Sequence, residues 1–223
     1  VTELSVGEGG SLYHYKAQED AATAFHMALT DARLAGGSTY DSFVLQTGGA
    51  IGRNEVRVRL AGEGIDCALN GVYLASDGQL LDNTTLVDHQ APSCRSRQIF
   101  KGVLDGRARG VFQGKIHVRR EAQKTDGHQL SRTLLLSPRA EIDTRPELEI
   151  YADDVKCSHG ATTGDLDEDS LFYLLSRGIE PAMARRLLVG AFVGDALAHI
   201  RQPQVAEDFT AHIRNWLDRH VGA

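Results

Sequence analysis

The sequence is poor in cysteine, in aromatic side chains and in long apolar runs. Only three of its 223 residues are cysteines, and so small an odd number is a poor disulfide framework. We therefore expect a reducing compartment and place the protein in the cytoplasm. No segment approaches the roughly 18 consecutive apolar residues that a membrane-spanning helix needs, so we expect no membrane partner.

Several common motifs are also missing. No Cys-x-x-Cys pair exists, which excludes a zinc ribbon or a thioredoxin-like motif, and no GxxxxGK[ST] loop exists, which excludes a P-loop ATPase. The net charge of −6 argues against a nucleic-acid partner. The N-terminal segment, Val1 to Gly7, has neither an initiator Met nor the pattern of a signal peptide. We interpret the sequence as a fragment that lacks its natural N-terminal part.

Glycine is frequent, with 23 residues, while aromatic residues make up 6% of the chain. Between Ser5 and Tyr151 short apolar runs alternate with turn signals such as Gly36-Gly37 and Asp105-Gly106. The clearest run is Arg107–Arg119, in which polar odd positions alternate with apolar or small even positions. This period of two predicts a β-strand.

Two β-architectures are compatible with these short strands. A β-solenoid stacks one coil on the next, and we expect its interior to be too narrow for large side chains, which fits the small inward residues of the sequence. A β-sandwich also gives strands at regular spacing. The residues alone do not decide between the two.

From Asp165 onward the period becomes helical. The acidic segment Asp165–Asp169 precedes an apolar run, as the helix dipole favours, and Arg177-Gly178 predicts its end. Pro181 starts a second helix that runs to about Ile200. Pro203 precedes a third helix with Val205, Phe209, Ile213, Trp216 and Leu217 on one stripe. We therefore predict a β domain over 1–164 and a helical domain over 165–223.

Cys157 and His159 are the candidate site residues. On an extended strand, residues two apart point the same way, so the thiol and the imidazole would share one face. Thiolate and imidazole suit a shared metal or sulfur species. The competing interpretation is that Cys157 is a small buried apolar residue and that His159 is a hydrogen-bonded histidine in a turn.

Seven segments together resemble the SufB/SufD family of iron–sulfur cluster assembly scaffolds. They are Phe100–Ile116, Ala122–Asp126, Leu134–Ser137, Ala140–Ile142, Pro146–Thr162, Leu171–Leu174 and Ser176–Ile179. The Cys-Ser-His-Gly form at 157–160 is similar to the SufD type rather than to the SufB type. The resemblance is specific from about residue 100 to residue 200.

This resemblance implies a mainly β protein, with a right-handed parallel β-helix core followed by a small C-terminal α-helical domain. It implies pairing with SufB through the β-helix and docking of the SufC ATPase on the helical domain. Because an open β-helix edge invites pairing, we also expect a homodimer of the isolated chain. The resemblance implies no enzymatic activity in this chain. It places His159, with Cys157 nearby, where a transient iron–sulfur cluster is built at the interface, and no cofactor in the isolated chain.

The resemblance and the apolar run together suggest that the ATPase partner binds residues of the first two predicted helices. These candidates are Leu171, Phe172, Tyr173, Arg177, Gly178, Arg185 and Phe192. Two other functions stay open: a purely structural subunit that ligates nothing, and a stand-alone β-helix enzyme acting on a polysaccharide. The latter would need clustered carboxylates on the outer face, and the sequence shows none that is convincing.

The remaining polar features have simpler explanations. Adjacent Asp153 and Asp154 point to opposite faces of a strand, so they suit a turn or the surface better than acid–base chemistry. The basic run from Arg95 to Lys124 has little aromatic interleaving, which favours a solvated outer face or a protein interface. We expect Cys67 and Cys94 to be buried apolar residues.

Overall fold

The computed structural model describes residues 1–221 as twelve β-strands followed by three α-helices. The strands are β1 (Thr2–Val6), β2 (Ser11–Gln18), β3 (Phe25–Leu34), β4 (Thr39–Gln46), β5 (Ile51–Leu60), β6 (Asp66–Ala75), β7 (Leu80–His89), β8 (Arg95–Leu104), β9 (Arg109–Val118), β10 (Thr125–Leu135), β11 (Glu141–Ile150) and β12 (Val155–Gly164). The helices are α1 (Glu168–Ser176), α2 (Pro181–Leu197) and α3 (Pro203–His220).

Successive strands alternate between two parallel sheets. The first sheet has the order β1-β3-β5-β7-β9-β11 and the second has the order β12-β10-β8-β6-β4-β2. Each coil therefore contributes one strand to each sheet and stacks on the coil before it. This is a parallel β-solenoid of six coils, as the family resemblance implied, and not a sandwich, whose sheets are antiparallel.

The interior of the solenoid is wider than the sequence suggested. Tyr73 and Phe112 are completely buried inside it, so the expectation of an interior too narrow for large side chains is wrong. Glycines on the neighbouring strands leave the space that these aromatic rings occupy. A Cβ atom at Gly102 would lie 2.3 Å from the ring of Tyr73, and one at Gly110 would lie 3.2 Å from it. The small inward positions thus accommodate aromatic rings from adjacent coils.

The helix boundaries follow the predicted signals. Asp167 caps α1, because its Oδ1 accepts a hydrogen bond of 2.7 Å from the backbone N–H of Ser170. Gly178 has a φ of 80° just after α1, a left-handed conformation that favours glycine. Pro181 and Pro203 are the first residues of α2 and α3, where a missing N–H costs nothing.

Helices α2 and α3 cover part of the outer face of the second sheet. Phe43 on β4 stacks at a tilt on Phe209 of α3, with 5.7 Å between the ring centres. Val193 of α2 and Trp216 of α3 belong to the same buried cluster as Leu74 of β6. This shared cluster explains how a helical segment too small to be stable alone is held in place. The division at residue 164 stays a prediction.

A buried lysine links α2 to the sheet. Lys101 on β8 belongs to the basic run from Arg95 to Lys124, for which we predicted a solvated face or an interface. Its side chain is only 4% exposed. Its Nζ donates to the carbonyl oxygen of Phe192 at 2.7 Å and to Oδ2 of Asp195 at 2.6 Å. The ammonium group also lies 4.6 Å from the centre of the Phe192 ring.

We expect Lys101→Met to lower the free energy of unfolding by about 2 kcal/mol, because it removes charge-assisted hydrogen bonds to a buried lysine. The control is Lys115→Met, whose side chain is 39% exposed and pairs with the 38% exposed Glu149, and we expect it to cost less than about 1 kcal/mol. Urea denaturation measures both changes, and hydrogen exchange should show faster exchange in α2 of the lysine variant. A cost for Lys101→Met no larger than that of the control would contradict this assignment.

Candidate edge site and helical patch

Cys157 and His159 both lie on β12, the terminal strand of the second sheet. Within residues 1–221, β12 has β10 on one side and no strand on the other. The register aligns Cys157 with Gly127 and His159 with Gln129. Gly127 and Gln129 are buried in the interior, so the two candidate residues are at inward positions of the last coil. The prediction that they share one face of a strand is confirmed.

The two side chains have different environments. Cys157 is half-buried and packs with the apolar cluster of the last coil, which includes Ile116, Leu148 and Ala152. Burial raises the pKa of the Cys157 thiol, so the thiol is protonated at neutral pH and must lose a proton to bind a metal. His159 is exposed, since no further described coil covers the end of the solenoid.

This pair alone could not hold an iron–sulfur cluster. Alternate residues on a strand are about 6.6 Å apart at Cα, a spacing that lets two side chains approach one group. Iron–sulfur clusters are usually held by about four protein ligands. Among residues 1–221, no group of three or more His, Cys, Asp or Glu side chains is arranged to hold a metal ion. A complete site at this edge would need donors that the described residues do not supply.

The second candidate surface is a patch of apolar side chains on α1 and α2, here called the helical patch. It comprises Phe172, Tyr173, Leu175, Met183 and Leu187, which are between 38% and 72% exposed. No residue of α1 is buried. Leu187 and Met183 also line a groove of about 650 Å³ between α2 and α3.

The predicted partner-binding residues fall mostly on or beside this patch. Phe172 and Tyr173 belong to it, Leu171 is partly buried next to them, and Arg177 lies over the ring of Tyr173 at 5.2 Å. Gly178 and Arg185 are exposed nearby.

Phe192 lies differently, because it faces Lys101 within the protein. Met183 and Leu187 belong to the apolar stripe from Leu171 to Phe192 but were not singled out as candidates, and the structure places both on the surface.

The other predicted features are placed as expected. Asp153 and Asp154 are exposed in a bend, and Cys67 and Cys94 are buried. The basic residues of the outer faces are largely ion-paired. Examples are Arg119 with Asp88, Arg109 with Asp143, Arg97 with Asp126 and Lys115 with Glu149. Paired charges of this kind favour a solvated face over a nucleic-acid surface. Within residues 1–221, no helix has both the length and the apolarity needed to cross a membrane.

These observations define the protein as a β-solenoid that carries a cysteine and a histidine on an open edge and an exposed apolar patch on its helices. The family is clear from comparison: residues 1–192 match the model described as the SUF system FeS cluster assembly, SufBD core domain. The chain therefore belongs to the SufBD core family of iron–sulfur cluster assembly proteins, which confirms the resemblance.

The relatives point to the SufD type. The chain is 36% identical over 210 residues to the iron–sulfur cluster assembly protein SufD of Escherichia coli (strain K12), which covers 94% of this chain and 50% of that protein. It is 35% identical over 220 residues to the chloroplastic protein ABCI7 of Arabidopsis thaliana, covering 97% of this chain and 46% of that protein. A SufBD family protein of Mycobacterium tuberculosis (strain ATCC 25618 / H37Rv) is 37% identical over 206 residues, covering 89% and 52%. The chain thus spans about half the length of these relatives. The family assignment leaves the polysaccharide-enzyme alternative without support.

Proposed function

We propose that this chain is a SufD-like scaffold subunit on which an iron–sulfur cluster is built at an interface with a second subunit. It acts in the cytoplasm, and in cluster assembly it serves as a scaffold and not as a catalyst. The observation that carries the proposal is the exposed imidazole of His159 at an inward position of an open edge strand. A partner on this edge can reach the ring, whereas a histidine enclosed by further coils would be inaccessible.

The open edge supports pairing with a SufB-type β-helix. Strands β11 and β12 each lack a neighbour on one side within residues 1–221, and an unpaired edge invites another chain to add strands. A partner there would bring the missing ligands to Cys157 and His159. A second copy of this chain would compete for the same edge, so a homodimer is expected when the SufB-type partner is absent.

The helical patch supports docking of a SufC-type ATPase. Its apolar side chains would be covered by a partner, since clustered exposed apolar residues often mark a protein-interaction surface. Two tethers would transmit movement of the helices to the solenoid: Lys101 binds Asp195 of α2, and Arg201 after α2 binds the buried Asp41 of β4 at 2.9 Å. ATP-driven displacement of the helices would thus pull on the second sheet, whose edge carries His159.

The test is His159→Ala in the reconstituted complex with the SufB-type and SufC-type partners. We expect cluster formation, followed by its visible absorption, to fall by at least about tenfold, the loss typical of removing a contributor to a metal site. Complex assembly should be unchanged because the ring is exposed and not part of the core. Thr163→Ala is the matched control, since Thr163 is exposed at another inward position of β12. Unchanged cluster yield in the histidine variant would remove His159 from the mechanism.

The alternative is a purely structural subunit that orients its partners and ligates nothing. It is favoured by the small number of donors that residues 1–221 bring together. A double variant, Cys157→Ala with His159→Ala, separates the two functions. Normal cluster formation together with intact assembly would establish the structural role.

A further inference from the structure

Three side chains form a continuous hydrogen-bonded chain on the outer face of the second sheet. His128 Nε2 lies 2.8 Å from Asp126 Oδ1, and His128 Nδ1 lies 2.5 Å from Ser158 Oγ. The register creates this arrangement: Asp126 and His128 are alternate residues of β10, and His128 is the direct neighbour of Ser158 on β12. Ser158 is exposed.

The order of the groups is that of a nucleophile, a base and a carboxylate. The Asp126 carboxylate accepts the Nε2–H of His128, which leaves Nδ1 as the acceptor for the hydroxyl proton of Ser158. Arg97 donates to Asp126 at 2.8 Å and, as the main cause, lowers the pKa of that carboxyl, so Asp126 stays ionised. Constellations of this kind are recognised by geometry and not by sequence order.

Beside the serine lies space for an apolar group. The next outward row across the sheet consists of Ile99, Leu130 and Gly160, aligned in register on β8, β10 and β12. Gly160 has no side chain to fill its place in that row. These residues, with Arg97, His128 and Ser158, line a shallow depression of about 350 Å³. A short acyl chain fits this floor, whereas a charged one would lose its hydration there.

An oxyanion donor is also available at the edge. The N–H of Asp126 bonds to the carbonyl of Cys94 on the β8 side. Along a strand of a parallel sheet, the N–H groups of successive residues point alternately to the two neighbouring strands. Since the N–H of Asp126 points to β8, the N–H groups of the odd residues of β10 point to β12, and in β12 the N–H of Ser158 points back to β10. The N–H of His159 then points to the open edge. The amide that follows a nucleophile is the donor used in other serine esterases.

We propose that Ser158 is a nucleophile that takes an acyl group from small apolar carboxylic esters. Oγ of Ser158 forms a bond to the ester carbonyl carbon, and the bond from that carbon to the leaving oxygen breaks. His128 accepts the hydroxyl proton and delivers it to the leaving alcohol. Water then releases the acid by the same route in reverse. This activity goes beyond the role in cluster assembly and does not depend on it.

The experiment is hydrolysis of p-nitrophenyl butyrate by the full chain, with nitrophenol release measured by absorbance and the acylated residue located by mass spectrometry. We expect Ser158→Ala and His128→Gln each to lower the rate by about 10²-fold, the lower end of what a positioned base contributes. Thr162→Ala is the control, because Thr162 is an exposed hydroxyl residue on the same strand with no imidazole bonded to it. Its rate should equal that of the unchanged protein.

A further variant tests the depression itself. Gly160→Val would fill the apolar row, and we expect it to slow the butyrate ester more than the acetate ester. Absence of turnover, an unchanged rate in Ser158→Ala, or an acyl group found on another residue would each overturn the proposal. Those results would assign the three side chains to holding the edge strand in place.

Discussion

Gly62→Ala should lower the free energy of unfolding by about 3 kcal/mol, the upper part of the range for overpacking. Gly62 lies in the turn between β5 and β6, directly against the turn of the preceding coil. A Cβ atom there would lie 2.2 Å from the backbone nitrogen of Gly36 and 3.0 Å from the carbonyl carbon of Ala35. Such distances require movement of backbone, because no flexible side chain is available to move aside.

The coils cannot separate to relieve this clash. The N–H of Gly37 donates to the carbonyl of Glu63 at 2.8 Å, and the N–H of Ala61 donates to the carbonyl of Leu34 at 2.9 Å. These bonds fix the two turns on both sides of Gly62. Separation would break them and leave backbone groups unpaired.

Gly78→Ala is the matched control for this prediction. Gly78 also lies in a turn between consecutive strands, yet a Cβ atom there would meet nothing within 4 Å. We expect its effect to stay within about 0.5 kcal/mol. Urea denaturation followed by circular dichroism measures both variants. Equal stability of the two would show that the contact between turns is not tight in solution.

The strand content and the helix ends were predictable because both depend on local signals. Alternation in Arg107–Arg119 predicted β9 (Arg109–Val118), and Pro181 and Pro203 predicted the first residues of two helices. Whether the strands form a solenoid or a sandwich depends on contacts between coils about 30 residues apart, such as Ile116 with Leu148. A period of two contains no information on these contacts, and only the family resemblance decided the architecture.

The candidate site was predictable to the same extent. The spacing of Cys157 and His159 predicted a common face, and the structure confirms it. Their different exposure depends on the position of β12 at the end of the stack, which no local pattern shows. The position of Lys101 was missed for a related reason. This lysine belongs to the basic run from Arg95 to Lys124, which was interpreted as a solvated face or an interface, but α2 returns from 91 residues further along the chain to cover it.

Fully buried polar side chains occur within the solenoid, and one of them makes stability depend on pH. His89 is 0% exposed, with Nε2 2.9 Å from Ser96 Oγ and Nδ1 3.4 Å from Thr125 Oγ1. Burial is the main cause that lowers the pKa of His89 to about 4. The ring is therefore neutral in the folded protein at pH 5, whereas in the unfolded chain, with a pKa of about 6.5, it is protonated.

This difference sets the direction of the effect. Between pH 6.5 and pH 4 the unfolded state binds a proton that the folded state does not, so acidification through this window favours unfolding. The contribution of the neutral His89 ring to the free energy of unfolding is fully present above pH 6.5. About 3 kcal/mol of it is lost on reaching pH 4, because each unit of pKa difference corresponds to about 1.4 kcal/mol. Other groups in the protein also titrate, so the contribution of His89 has to be isolated by comparison with a variant.

His89→Gln provides that comparison, since its amide can still bond to Ser96 but does not titrate. We expect the unfolding free energy of the unchanged protein to fall between pH 7.5 and pH 4.5 by about 2 to 3 kcal/mol more than that of the variant. Chemical denaturation at the two pH values measures both differences. An identical pH dependence in the two proteins would mean that the ring is protonated without unfolding, and thus that the solenoid interior is open to water around His89. Because the same stacked coils enclose His89 and support β12, that result would also weaken the description of the edge site as the exposed end of a closed core.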